Sequence, residues 1–251
     1  MRITLLTALT AAGIAVIANA VPAAAAPAPG SGCQLPAYGP GASYHPTYDG
    51  EDFTANVDNP FFPLEVGTTW TYTGSKDGKQ AVNRVWATAA TRTIDGVPTR
   101  VVQDRLYLDG KLAERTADYY TQDRCGDVWY FGEQTVALAP DGTLSDTAGS
   151  WLAGRDGAQP GLYMLASSHV GQKFRQEWYR GQAQDVFRVV DLAAPIAVSA
   201  GAYAGALRTD EFTSLEPDVL DNKYYVAGIG QVLELAVKGP AERLELVSVQ
   251  H

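Results

Sequence analysis

"TIDGVPTRVVQDRLYLDGKLAE", residues 93–114, decides how this chain folds. Two Asp-Gly pairs, Asp95-Gly96 and Asp109-Gly110, bracket a run of Val, Thr, Leu and Tyr broken by polar residues. Asp-Gly tolerates the two positive φ angles of a type I′ turn, whose twist matches that of the flanking strands. The stretch therefore reads as strand, tight turn, strand, tight turn, strand.

The same dipeptide recurs at Asp49-Gly50, Asp77-Gly78, Asp141-Gly142 and Asp156-Gly157. Residues 68–74, 80–93, 99–108, 111–120 and 127–131 are rich in Val, Thr, Tyr and Trp. So are 172–179, 184–192, 203–212, 223–226, 231–237 and 243–249, and helical periodicity is scarce throughout. In the run from Val232, residues Leu233, Leu235 and Val237 share one face while Glu234 points the other way, which predicts a buried face and a wet one. The expected fold is all-β: a single antiparallel meander of about ten to twelve strands, curled into a barrel or half-barrel because strands twist and edges need protection. Residues 149–170 interrupt the pattern with Gly149, Gly154, Gly157, Pro160 and Gly161, and only 162–168 suits a short helix. This segment reads as a loop capping the sheet or the barrel mouth.

The N-terminus bounds the compartment. Met1-Arg2 precedes an apolar stretch and Ala-rich sequence with two cleavage patterns, Ala18-Asn19-Ala20 and Ala24-Ala25-Ala26. Residues 1–26 read as a secretory signal peptide, 27–52 as an extended Pro/Gly-rich arm and 53–251 as one β domain. The protein is expected outside the cytoplasm, secreted or in the cell envelope, with no stable membrane insertion after cleavage. Cys33 and Cys125 are the only cysteines, so export makes a bridge between them the expectation. It would contribute about 4–5 kcal/mol in the chain-entropy picture. The net charge of −9 disfavours nucleic acid and anionic membrane surfaces as partners.

Chemical signatures are few. No nucleophile elbow, zinc-protease helix motif, paired Cys-x-x-Cys or phosphate loop occurs. "GIGQVLEL", from Gly228, lacks the third glycine of a dinucleotide fingerprint and reads as a bend between strands. Three histidines and two paired cysteines supply neither a zinc set nor a catalytic dyad, so no metal, cofactor or catalytic residue is expected. In "CGDVWYFGE", from Cys125, the carboxylates Asp127 and Glu133 would lie about 20 Å apart on an unbroken strand. They cannot pair as glycosidase acids unless Gly132 turns the chain; a partner for Glu133 would be Asp156, Glu177 or Asp185. The aromatics fall on defined faces: Trp70 with Tyr72, Trp129 with Phe131 opposite Tyr130, and Trp178 opposite Tyr179.

"DNPFFPLEVGTTW", from Asp58, with "DRCGDVWYFGE", "DGAQPG", "QEWYRGQAQD" and "KYYVAGIG", resembles a family of exported bacterial proteins without an assigned reaction. The likeness spans residues 53–238 and implies an exported antiparallel β domain. Tyr225-x-x-Gly228-x-Gly230 is also similar to strand bends in periplasmic half-barrels that carry lipids or lipoproteins.

The functional expectation is a non-enzymatic exported module binding a small apolar or aromatic-stacking ligand. Trp129, Tyr130, Trp151, Trp178 and Tyr179 would contact it, with Glu133, Asp156 and Glu177 orienting it. The alternatives are a carboxylate-based hydrolase or isomerase, needing two acids in one cleft, and a structural envelope protein with a filled interior.

Overall fold

Residues 34–251 are described by the computed structural model; residues 1–26, expected to be a signal peptide, the start of the expected arm and Cys33 lie outside the described residues. Two 3-10 turns, Gly41–Ser43 and Gly50–Asp52, precede sixteen strands. These are β1 (Phe53–Thr54), β2 (Thr69–Lys76), β3 (Lys79–Ile94), β4 (Val97–Leu108), β5 (Lys111–Asp123), β6 (Val128–Leu138), β7 (Leu144–Asp146) and β8 (Trp151–Leu152). There follow β9 (Gln159–Met164), β10 (Lys173–Arg175), β11 (Glu177–Trp178), β12 (Asp185–Val198), β13 (Gly201–Thr213), β14 (Leu220–Val226), β15 (Gly230–Lys238) and β16 (Glu242–Gln250). The count exceeds the ten to twelve expected because β1, β7, β8, β10 and β11 are only two or three residues long, too short for an alternation to register in sequence.

Hairpin physics builds the wall. Asp77-Gly78, Asp95-Gly96 and Asp109-Gly110 carry φ of 52/75°, 47/80° and 49/77°, and join β2 to β5 in three two-residue turns. Asp49-Gly50 does otherwise: its aspartate caps a 3-10 turn, accepting from the Glu51 amide at 3.0 Å. The sheet order runs β10-β12-β13-β14-β15-β16-β2-β3-β4-β5-β6-β9-β11, antiparallel throughout. The last strand, β16, pairs with β2, so the C-terminal meander is sewn to the N-terminal one, Leu246 facing Tyr72.

Consecutive β10 and β11 nearly close the barrel. The first pairs with β12, the second with β9, and between them the Gln176 amide donates to the Asp185 carbonyl at 2.8 Å. Residues 149–170, expected to be a loop capping the sheet or the barrel mouth, instead extend its wall: β8 and β9 both pair with β6, and no helix forms at 162–168.

One end is sealed by the segment that carries the family-like motif. Asn59 donates to the carbonyls of Gly126 and Leu165 at 2.9 and 3.2 Å, and the amides of Asp58 and Asn59 both donate to Gln122 Oε1 at 2.9 Å. That clamp turns Phe62, Pro63 and Leu64 into the barrel, where they line its lumen.

The arm covers the outside. Tyr48 and Phe53 pack edge-on against Trp129 and Phe131 at 5.3–6.3 Å, and the Tyr48 hydroxyl donates to Asp95 at 2.6 Å. Among the described residues no cysteine is free, and the partner expected for Cys125 lies outside them. No described helix is long and apolar enough to cross a membrane.

Candidate functional site

Cross-strand pairs share a face, so the register identifies the lumenal residues. Thr209, Lys223, Glu234 and Leu244 form one row; Asp118 stands opposite Val102 on one side and Glu133 on the other. The second pairing depends on a bulge. Between Asp118/Glu133 and Tyr120/Tyr130, strand β5 advances two residues and β6 three. Gly132 absorbs the extra residue at φ 138°, with the Trp151 carbonyl 2.4 Å from where a Cβ would stand. Tyr130 and Glu133, which strict alternation would put on opposite faces, thus both line the lumen.

Two connected lobes result. The deeper, about 140 Å³, is walled by Phe62, Leu64, Trp70, Tyr72, Val85 and Val102. The second, about 240 Å³, is walled by Tyr130, Glu133, Gln176, Glu177, Asp185 and Glu211. They share Asp104, Asp118, Tyr120, Tyr163 and Lys223. Together the linings hold seven carboxyl groups, counting Glu234, and a single ammonium.

Lys223 Nζ lies 2.9 Å from Glu211 and 3.9 Å from Glu234. Burial pulls its pKa down, but those two carboxylates outweigh burial and hold it well above the usual lysine value. Glu211 also accepts from Tyr225 at 3.0 Å, Thr209 at 3.1 Å and Gln176 at 3.3 Å.

Among the described residues the remaining acids form no ion pair within 4.0 Å. Burial and then the neighbouring Asp118 charge push Asp104 up to about 8, although Asn83 donates to it at 3.1 Å. Asp118 is raised to about 6 by burial, offset in part by the Tyr130 hydroxyl donating at 2.6 Å. Glu133 is pushed well above the carboxylate range by burial and then by the charges of Asp118 and Glu177. Glu177 is raised by burial and by Asp185, with the Trp151 indole opposing; Asp185, exposed at the lobe's edge, is raised by desolvation against the pull of Lys223. Like charges opposite one another across a sheet repel, so the Asp118–Glu133 pairing raises the proton affinity of Glu133 beyond what burial does.

Of the residues picked from sequence, the fold brings Tyr130, Glu133 and Glu177 together in the lumen. Trp151 is buried behind Tyr130, ring edge to ring face at 5.5 Å, its indole nitrogen lacking a well-formed hydrogen bond. Trp129 faces outward beneath the arm and donates to Asp123 at 2.9 Å. Trp178 packs under Gly41 of the arm, Tyr179 belongs to a small turn with Ala183, and Asp156 occupies an exposed turn at φ 52°. Asp104, Asp118, Glu211, Lys223 and Glu234 escaped sequence reading. Their signal was present as charged residues sharing a strand face with apolar ones, Asp104 with Val102 and Asp118 with Tyr120. No group of three or more described His, Cys, Asp or Glu side chains has the geometry to hold a metal ion.

No family model matches the chain, and neither does any curated protein. Two solved structures are similar. One is a Bacteroides fragilis protein provisionally classed as exported, with a YmcC-like fold: TM-score 0.45, 13% identity, covering 76% of this chain and 99% of that one. The other is a protein from Parabacteroides distasonis provisionally classed as a lipoprotein: TM-score 0.39, 10% identity, covering 76% of this chain and 98% of that one.

Proposed function

We propose that this chain is an exported binding module whose barrel lumen takes one small organic cation, an amine joined to a compact ring or apolar group. The observation that carries the reading is the imbalance of the lumen: seven carboxyl groups and one ammonium around a tyrosine-walled cavity. Buried charges of one sign are costly unless protonated or matched. An ammonium entering the wider lobe would supply the match, while Phe62, Trp70, Tyr120 and Tyr163 would hold its ring in the deeper one. This reading narrows the small apolar or aromatic-stacking ligand expected from sequence to one that carries a positive charge, because apolar wall is confined to the sealed end. The lobes are smaller than the roughly 300–1,000 Å³ of drug-sized pockets, which favours a compact ligand.

Calorimetric titration with phenethylamine tests this, with phenethyl alcohol and phenylacetate as neutral and anionic counterparts. The amine is expected to bind alone, more tightly at pH 8 than at pH 5, with protons released as Asp118 and Asp104 ionise. Equal affinity for the alcohol, or no pH dependence, would sink the proposal.

A second reading, acid–base catalysis in a hydrolase or isomerase, is favoured by the in-register Asp118 and Glu133 pair with its differing proton affinities. It predicts turnover of a lumen-bound substrate that Glu133→Gln abolishes while binding persists. The structural-envelope reading needs a filled interior, which the two lobes do not support.

A further inference from the structure

On the outer face of the barrel, away from the acidic lumen, the register gathers the opposite charge. Lys173 stands directly across from Arg188, which stands across from Asp210; one step along, Arg175 faces Val186, and Val186 faces Phe212. Two cations opposite each other in a ladder repel, and Asp210 neutralises only Arg188. Lys238 completes the set and is matched by Asp218 at 2.6 Å.

Lys173 and Arg175 make no ion pair among the described residues. The ammonium of Lys173 lies 4.1 Å from the Tyr38 ring centre and 5.0 Å from that of Phe212. Arg175 is 7% exposed, and its guanidinium lies 5.0 Å from the Tyr38 ring centre and 4.7 Å from that of Trp178. It donates from Nη2 to the Gly39 carbonyl at 3.0 Å, but its buried Nε has no acceptor. A buried guanidinium without a carboxylate is uncommon, because its donors need matching. Arg175, Arg188 and Lys238 line a groove of about 460 Å³, with Lys173 beside it over two of its rings, Tyr38 and Phe212. One wall is apolar, Val186, Phe212, Pro217, Val219 and Leu220, and Gln184, Thr213 and Ser214 add polar groups.

We propose that this groove is a binding site for a small amphiphilic oxyanion, a carboxylate or phosphate ester carrying a compact apolar body. The oxyanion head lies between Arg175 and Arg188, within the field of Lys173 opposite Arg188, and the body lies on Phe212 and Val186. An inorganic anion leaves the apolar walls unused; a neutral ring leaves the cations unmatched. The site shares no lining residue with the lumen, so it stands whether or not the lumen takes an amine.

The test is titration of the purified protein with benzoate and with phenyl phosphate, following the Trp178 indole and arginine side-chain signals by nitrogen-resolved NMR. Either anion should bind saturably, the tighter one identifying the head group, with benzyl alcohol and inorganic phosphate each at least about tenfold weaker. Lys173→Gln and Arg188→Gln, in side chains not fully buried, should each weaken binding by about threefold to tenfold and leave the fold intact. Arg175→Lys should weaken it further, because an ammonium cannot offer the planar fork. The proposal is overturned if benzyl alcohol binds as well as benzoate, or if neither anion saturates. It also fails if both glutamine variants bind unchanged, or if only vesicles of anionic lipid are retained.

Discussion

Strand β6 carries two aromatic clusters on its two faces, and their chemistry differs. Outward, Trp129 and Phe131 meet Tyr48 and Phe53 beneath the arm in edge-to-face contacts, and the two carboxylates at the cluster's rim, Asp95 and Asp123, each accept from one ring, Tyr48 and Trp129. Inward, Tyr130 stacks on Tyr120 at 4.7 Å and meets Tyr163 at 5.8 Å, beside Asp118 and Glu133. The outer cluster fastens the arm by ring burial and by the Tyr48 hydroxyl donating to Asp95. The inner one surrounds a space, and its hydroxyls face acids. One face of the strand is packed against the arm and the other borders the lobes, where hydroxyls meet several unmatched carboxyl groups.

The largest effect should come from the outer cluster. Phe131 is fully buried, so Phe131→Ala should cost about 3–5 kcal/mol in urea unfolding, equally at pH 5 and pH 8. A strong pH dependence of that cost would mean that the two faces are coupled rather than separate.

Next is the one lumenal cation. Lys223→Met leaves Glu211 and Glu234 without their ammonium and should cost about 3 kcal/mol at neutral pH. A variant as stable as the parent would show that those carboxylates are matched by something other than Lys223.

Asp104 separates the faces by pH. Its folded pKa of about 8 exceeds the unfolded carboxylate value, so the folded state holds the extra proton between them. Stability from this group is complete below about pH 4 and is lost as pH rises towards 8. Asp104→Asn should therefore gain on the parent across that window, by at most about 1.4 kcal/mol per pH unit. A flat difference between parent and variant from pH 5 to 8 would remove the acidic lumen from the account.

How much of this was legible follows from the range over which each signal acts. Asp95-Gly96 and Asp109-Gly110 fix their turns locally, so the hairpins could be read from dipeptides. Which face of a strand becomes lumen is a tertiary matter. At Leu233 and Glu234 the alternation was plain, yet the glutamate faces the lumen and the leucine is buried on the outside. Leu233 sits opposite Glu245, where Ser199 from the β12–β13 hairpin reaches across at 2.7 Å, so the outer face is covered too. A polar residue then marks a wet cavity as readily as a wet surface. The bulge at Gly132 was visible as a glycine that could turn the chain, but only the pairing with β5 gives the direction in which Glu133 points.

The smallest change is the most discriminating. Tyr130→Phe makes the inner ring chemically like its outward neighbour Phe131, and deletes only the hydroxyl that donates to Asp118 at 2.6 Å. The stability cost should be about 1 kcal/mol, that of one hydrogen bond to a partly ionised acid. The Asp118 pKa, already about 6, should rise further, because the hydroxyl is the contact that favours its charged form. Carbon-13 carboxyl NMR across pH 4–9 reads that shift directly. If amine binding also moves to higher pH in the variant, the hydroxyl tunes the acid for its ligand. An Asp118 titration unchanged by the substitution would mean that burial alone sets it, and the distinction between the two faces of β6 would reduce to packing.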